Sequence, residues 1–222
     1  MLRGFVVFLS CLLLAAPVTA GPWLREKGKT FTSVSIVVNY FYDTASSTYL
    51  EYGLRDDMTV GADVGIFRDT TAGPSGSATL FLRRALSKTD GKSLWAYELG
   101  VGANWQSIEI SPHLKTALTW GRGMTFRERN GWLTVDASIN WALADVPDVA
   151  KLDGTLGMNV TDRFAGMFQV YVSHSDGATS TTLAPSIIYT PKNGKSKWQI
   201  GLESPLGNTD RTAIKFGLWR EF

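Results

Sequence analysis

The chain has 222 residues, with 22 Lys+Arg against 20 Asp+Glu and a formal net charge of +2. That near-balance excludes a strongly basic nucleic-acid binder and an acidic disordered tail. Hydrophobic residues make up 44% and mean hydropathy is −0.02, while 12% aromatic residues and 22 Gly point away from disorder and toward β structure.

The first twenty residues read as an address. Arg3 precedes the apolar run Phe5–Ala16, and Val18-Thr19-Ala20 supplies a small-residue cleavage site. Cleavage there leaves Gly21 first. Ser10-Cys11 resembles the end of a lipobox, but Phe8 suits that site poorly and the apolar run continues past Cys11. The expected mature chain then has no cysteine and no disulfide. It also has no apolar stretch long enough for a spanning helix. Residues 21–30 form a short lead, and residues 31–222 form one domain.

From Phe31 onward the pattern has a period of two. About twelve strands are predicted, and ten or fourteen would fit the same pattern. Their approximate spans are 31–42, 46–54, 59–67, 77–86, 94–104, 112–122, 131–142, 150–160, 164–174, 180–189, 196–204 and 210–222. In 59–67, Val60, Ala62, Val64 and Ile66 alternate with Thr59, Gly61, Asp63 and Gly65. In 94–104, Trp95, Tyr97, Leu99 and Val101 alternate with Ala96, Glu98, Gly100 and Gly102. Turn chemistry separates the segments at Arg55-Asp56-Asp57, Gly73-Pro74-Ser75-Gly76, Asp90-Gly91, Asn130-Gly131, Thr161-Asp162-Arg163, Asp176-Gly177, Asn193-Gly194 and 205–209.

The fold class expected is all-β: a closed antiparallel up-and-down barrel. Its polar face carries Glu51, Asp63, Arg83, Glu98, Lys115, Asp136, Asp153, Glu203, Arg211 and Lys215, with Lys151 a further candidate. Alternation alone permits two orientations. A soluble, lipocalin-like barrel turns its apolar face inward around a ligand. A membrane barrel turns that face outward and lines its lumen with charge. Tyr40, Tyr42, Trp95, Trp120, Trp141, Tyr189 and Trp198 sit at the ends of apolar faces, where a membrane–water boundary would place them. The chain also ends on an aromatic, Phe222, after an alternating strand.

That ending, Ile214-x-Phe216-x-Leu218-x-Arg220-x-Phe222, resembles the C-terminal strand signature of bacterial outer-membrane β-barrel proteins. Tyr52–Gly61 is similar to their periplasmic hairpins. The resemblance implies a transmembrane barrel in the Gram-negative outer membrane, with both termini and the lead in the periplasm. It implies outer-membrane lipid as surroundings and the barrel assembly machinery as the reader of Ile214, Phe216, Leu218 and Phe222. Outer loops are then expected near 43–45, 68–76, 105–111, 143–149, 175–179 and 205–209, all too short for a lid.

No motif carries chemistry strongly. Outer-membrane lipid hydrolases would need a His with a nearby Ser, and the candidates are His174 with Ser173 or Ser175. Adjacent residues point to opposite faces of a strand. His174 and Asp176 share a face but lack a nucleophile. Gly91-Lys92-Ser93 and Gly194-Lys195-Ser196 lack the upstream Gly of a phosphate loop. Two His and no mature Cys leave no expected metal site or cofactor. The function expected is therefore non-enzymatic: a narrow polar pore for small polar solutes, or a barrel plugged by an interior salt-bridge network.

Overall fold

The structure is a computed structural model that describes residues 23–222 apart from 72, 89, 90, 92 and 193. The expected signal peptide with Cys11 lies outside the described residues. So do Asp90, Lys92 and Asn193, and with them part of two predicted turns and one phosphate-loop look-alike.

Twelve strands run in chain order: β1 (Thr30–Asn39), β2 (Thr44–Arg55), β3 (Met58–Asp69), β4 (Gly73–Ala85), β5 (Ser93–Gln106), β6 (Glu109–Phe126), β7 (Arg129–Ala142), β8 (Val149–Asn159), β9 (Phe164–Ser175), β10 (Ala178–Tyr189), β11 (Ser196–Pro205) and β12 (Ala213–Glu221). Each pairs antiparallel with its sequence neighbours, and β12 closes on β1 with Phe31 opposite Glu221 and Asn39 opposite Ala213. The barrel therefore has no free edge. Both termini lie at one end, the terminal end; the connections after β1, β3, β5, β7, β9 and β11 form the other, the loop end.

Two turns differ from the sequence expectation. β6 and β7 continue pairing through Thr125↔Asn130 and Phe126↔Arg129, so Asn130-Gly131 lies within β7. The reversal falls on Arg127 and Glu128, with φ of 45° and 64°. Both residues thus adopt the left-handed geometry that a two-residue hairpin requires. Gly73-Pro74-Ser75-Gly76 likewise sits inside β4, where Pro74 pairs with Arg68. Asp176-Gly177 turns as expected, with φ of 48° and 71°.

Parity decides what faces where. Leu50, Ile66, Leu80, Leu99, Val101, Leu152, Ile187, Ile200 and Phe216 are exposed on the outer surface. Their strand neighbours Glu51, Thr59, Glu98, Thr119 and Thr134 are buried inside. The lipocalin-like alternative is corrected here: the apolar rows face out, and the charged rows face the axis. On the outside, Trp95 and Trp120 meet across β5 and β6 with ring centroids 6.4 Å apart. Phe164 and Tyr189 do so at 5.1 Å. Trp141 donates from Nε1 to Thr116 Oγ1 nearer the loop end.

Inside the terminal half, space is filled by aromatic residues beside glycines. Trp132 on β7 lies against Gly157 of β8, where any Cβ would collide with its ring. Phe31, Trp132, Met167, Ile188 and Trp219 form one buried apolar cluster, with Trp23 and Tyr49 packed against it.

Candidate functional site: the barrel lumen

Most of the charged residues expected to line the lumen do face the axis, because they share parity with the small and polar residues of their strands. They separate into two levels with different chemistry.

The lower level is buried and paired. Arg83 on β4 donates from Nη1 to Glu51 Oε1 at 2.5 Å and from Nη2 to Glu98 Oε2 at 2.8 Å. Its Nη2 also reaches the Tyr49 hydroxyl at 2.9 Å, and that hydroxyl donates to Glu51 Oε1 at 2.7 Å. Lys115 Nζ stands 2.6 Å from Glu98 Oε1. Glu51, Arg83 and Glu98 are only 1%, 6% and 2% exposed. Burial at this depth is tolerable only because each charge is matched and hydrogen-bonded. Phe81 stacks on Tyr49 at 5.6 Å, with Arg83 and Lys115 beside its ring. Gly61 makes that ring position available, since a Cβ there would strike it.

The lead belongs to this level. Described residues ahead of β1 fold into the terminal mouth. Arg25 donates from Nε to Glu51 Oε2 at 2.5 Å, and its backbone N donates to Thr59 Oγ1 at 2.9 Å. Its guanidinium lies 4.3 Å from the centre of the Phe31 ring. Gly28 N donates to Gly53 O at 2.8 Å, and Gly53 N to Lys29 O at 2.9 Å. Gly53 is required here: a Cβ would run into the Glu26 backbone oxygen.

The upper level is more open and carries charges without ion partners. Asp63 faces the axis from β3 yet is exposed, and Lys151 on β8 is exposed too. Asp136 and Asp153 stand directly opposite each other on β7 and β8 and are half-buried. Among the described residues, none of Asp63, Asp136 and Asp153 has a Lys or Arg within salt-bridge distance. Between the adjacent strands β12 and β11, Lys215 does donate to Glu203, at 2.8 Å. His113 is buried beside Thr79, with Nε2 and Oγ1 3.1 Å apart.

One lumen residue is misplaced by the sequence reading. Arg211 does not line the interior. It ends a short 3-10 helix, Thr209–Arg211, in the β11–β12 connection and reaches Asp43 and Asp69 at 3.3 and 3.2 Å. A break in strand period between Pro205 and Ala213 moved it to the rim. Asp43 is held there by the Thr70 backbone N at 2.9 Å, by the Thr70 hydroxyl at 2.9 Å and by Asn39 Nδ2 at 2.9 Å. Those hydrogen bonds, led by the one from the Thr70 backbone, hold its carboxyl below the ordinary aspartate value.

The hydrolase candidates do not converge. His174 is exposed on the outer parity of β9, with Nδ1 2.8 Å from Thr179 Oγ1. Ser173 has the opposite parity, and Ser175 donates to the Asp148 carbonyl at 3.0 Å.

Sequence reading missed Tyr49, Phe81, Phe31, Trp132 and Trp219 as interior groups, although parity marks them. Trp219 shares its face with Lys215 and Gly217, and Trp132 shares its face with Thr134 and Asp136. Arg25 carried no periodic signal.

No family model matches the sequence, and no curated protein matches it. Solved structures with a similar fold include the KdgM porin, at TM-score 0.61 and 8% identity over 86% of this chain and 99% of that one. The same porin in complex with disordered oligogalacturonate gives 0.57, at 8% identity over 87% and 99%. An outer-membrane channel from Pseudomonas putida F1 gives 0.55, at 12% identity over 93% and 100%. LpxR from Salmonella typhimurium gives 0.56, at 7% identity over 86% and 99%. Likeness at these identities establishes the barrel architecture and nothing finer.

Proposed function

We propose that this chain is a non-enzymatic outer-membrane barrel that conducts small polar solutes through a narrow lumen. Both termini face the periplasm, and the lower level holds the conduit closed. The outward apolar rows and outer aromatic pairs support membrane placement. Ile214, Phe216 and Leu218 lie in one outward row on β12 ahead of Phe222, as a strand read by the barrel assembly machinery would need. The similar fold of a porin and an outer-membrane channel supports the transport reading.

One observation carries it: Asp63, Asp136, Asp153 and Lys151 face the axis without an ion partner, and Asp63 and Lys151 are exposed. A barrel filled only for rigidity would pair such charges, as it does at Arg83. Unpaired charge inside a barrel requires water, and water requires an entrance. Three acids against one base favour cations and neutral solutes. Oligogalacturonate, the ligand in the KdgM complex, is a polyanion and does not suit that charge.

Conductance in planar bilayers tests the proposal. The chain beginning at Gly21 is expected to show brief, small, cation-favouring steps. Removing residues 23–28 is expected to lengthen them, and Asp136→Asn with Asp153→Asn to weaken the cation preference. Silence from both the full and the shortened chain would leave a plugged, structural barrel.

A further inference from the structure

The two rims of the barrel carry opposite charge. Connections at the loop end hold exposed Asp145, Asp148, Asp176 and Asp210; the exposed bases at that rim are Arg68, near the end of β3, and Arg211, which serves Asp43 and Asp69. At the terminal end the balance reverses, and exposed Lys and Arg outnumber acids. This asymmetry is hidden in the near-neutral total.

Three strand bases at the terminal end sit on the outer circumference, and three more occupy its turns. Arg84 on β4, Arg122 on β6 and Arg220 on β12 have outward parity and follow directly on the apolar rows. Arg127 and Arg163 occupy the β6–β7 and β8–β9 turns, and Lys195 the β10–β11 turn. All six are exposed. Two are stationed against outer aromatic residues: Arg220 lies 4.6 Å from the Phe222 ring centre and Arg127 5.4 Å from that of Phe126. Internal neutralisation is sparse. Asp57 alone serves two guanidinium groups, Arg55 at 3.1 Å and Arg84 at 3.3 Å. No ion pair engages Arg122, Arg127, Arg163, Lys195 or Arg220 among the described residues.

We infer that these residues form a collar that binds the anionic headgroups of phospholipids in the leaflet around the terminal end. The inference rests on the membrane reading above and adds a partner of defined charge and a defined depth. Geometry selects lipid over a macromolecule. The bases are spread around the circumference, with Arg84, Arg122 and Arg220 at the radius of the apolar rows and Arg127, Arg163 and Lys195 in the turns just beyond. A headgroup layer encircles a barrel at that radius and depth, whereas a single protein or polymer would meet one sector or the open mouth. Guanidinium and ammonium groups at a membrane surface attract anionic lipid and lose that attraction in salt. The acidic loop-end rim would repel the same lipids, so the collar also fixes which end faces the phospholipid leaflet.

The test uses the tryptophans already present near the collar. The chain beginning at Gly21 is reconstituted in phosphatidylcholine vesicles doped with either brominated phosphatidylglycerol or brominated phosphatidylcholine, and Trp quenching is measured. Brominated phosphatidylglycerol should associate several-fold more strongly at low salt, approaching parity at high salt. Combined Arg122→Gln, Arg163→Gln and Arg220→Gln should remove most of the preference. Equal quenching by the two lipids at low salt overturns the collar. So does a preference that persists unchanged in the triple variant, and so does loss of the preference together with binding of a soluble cell-wall polymer. Quenching by brominated phosphatidylcholine is expected in every variant. Its absence would overturn the membrane reading itself, which separates the two failures.

Discussion

Arg25 and Glu51 form an ion pair of 2.5 Å inside the terminal mouth, where Glu51 is 1% exposed. A residue that precedes the first strand is thereby tied to the second. Arg25→Ala leaves Glu51 its bond to Arg83, so the barrel should survive with a loss of about 2 kcal/mol. Chemical unfolding followed by Trp fluorescence would read that loss. An unchanged midpoint would show that the Arg25 side chain contributes nothing.

Arg83 should matter more. It is the common partner of Glu51 and Glu98, so Arg83→Met leaves each buried carboxylate with a single cation, Arg25 beside Glu51 and Lys115 beside Glu98, and should cost about 3 kcal/mol. Arg83→Lys, which keeps the charge but not the fork that reaches both carboxylates, should cost less than Arg83→Met. Equal losses for the two variants would contradict this account of the lower level.

The glycines at close approaches make a separate prediction. Gly157→Ala places a methyl group in the Trp132 ring and should impair assembly, measured as the folded fraction after refolding into detergent. Trp132→Leu in the same chain should restore part of it. Gly154, on the same strand with open space around it, should accept Ala with little effect.

Acid should loosen the loop-end rim through Asp43. Its folded value lies below the ordinary one near 3.8 because the Thr70 backbone, Asn39 and the Thr70 hydroxyl donate to it. The rim is therefore fully stabilised above that ordinary value and loses the contribution as pH falls through the lower, folded value. Limited proteolysis of the 39–44 and 69–73 connections should accelerate over that acidic window. Asp43→Asn should show fast cleavage at all pH values.

Much of the barrel was legible because a strand buried on one side must alternate. The spans around Val60–Ile66 and Trp95–Val101 needed nothing beyond parity. Turns were legible where chemistry forces them, as at Asp176-Gly177. They were misplaced where cross-strand pairing overrode local preference, as at Arg127-Glu128. Inward charges followed from the same parity, but not their division into paired and hydrated levels. That division depends on barrel register, which brings Arg83 opposite Glu98 and leaves Asp136 facing Asp153. Arg25 and Arg211 lie outside the strands, where alternation carries no information.

Single cysteines in the chain beginning at Gly21, which has none of its own, test the central arrangement most directly. A charged, water-soluble thiol reagent applied to reconstituted vesicles should label Asp63→Cys quickly. Thr59→Cys, beside Arg25 in the lower level, should label slowly, and outward Leu99→Cys should react only with a lipid-soluble reagent. Rapid aqueous labelling of Leu99→Cys, or equal labelling of Asp63→Cys and Thr59→Cys, would contradict a lipid-facing barrel with a wet upper lumen and a closed lower one.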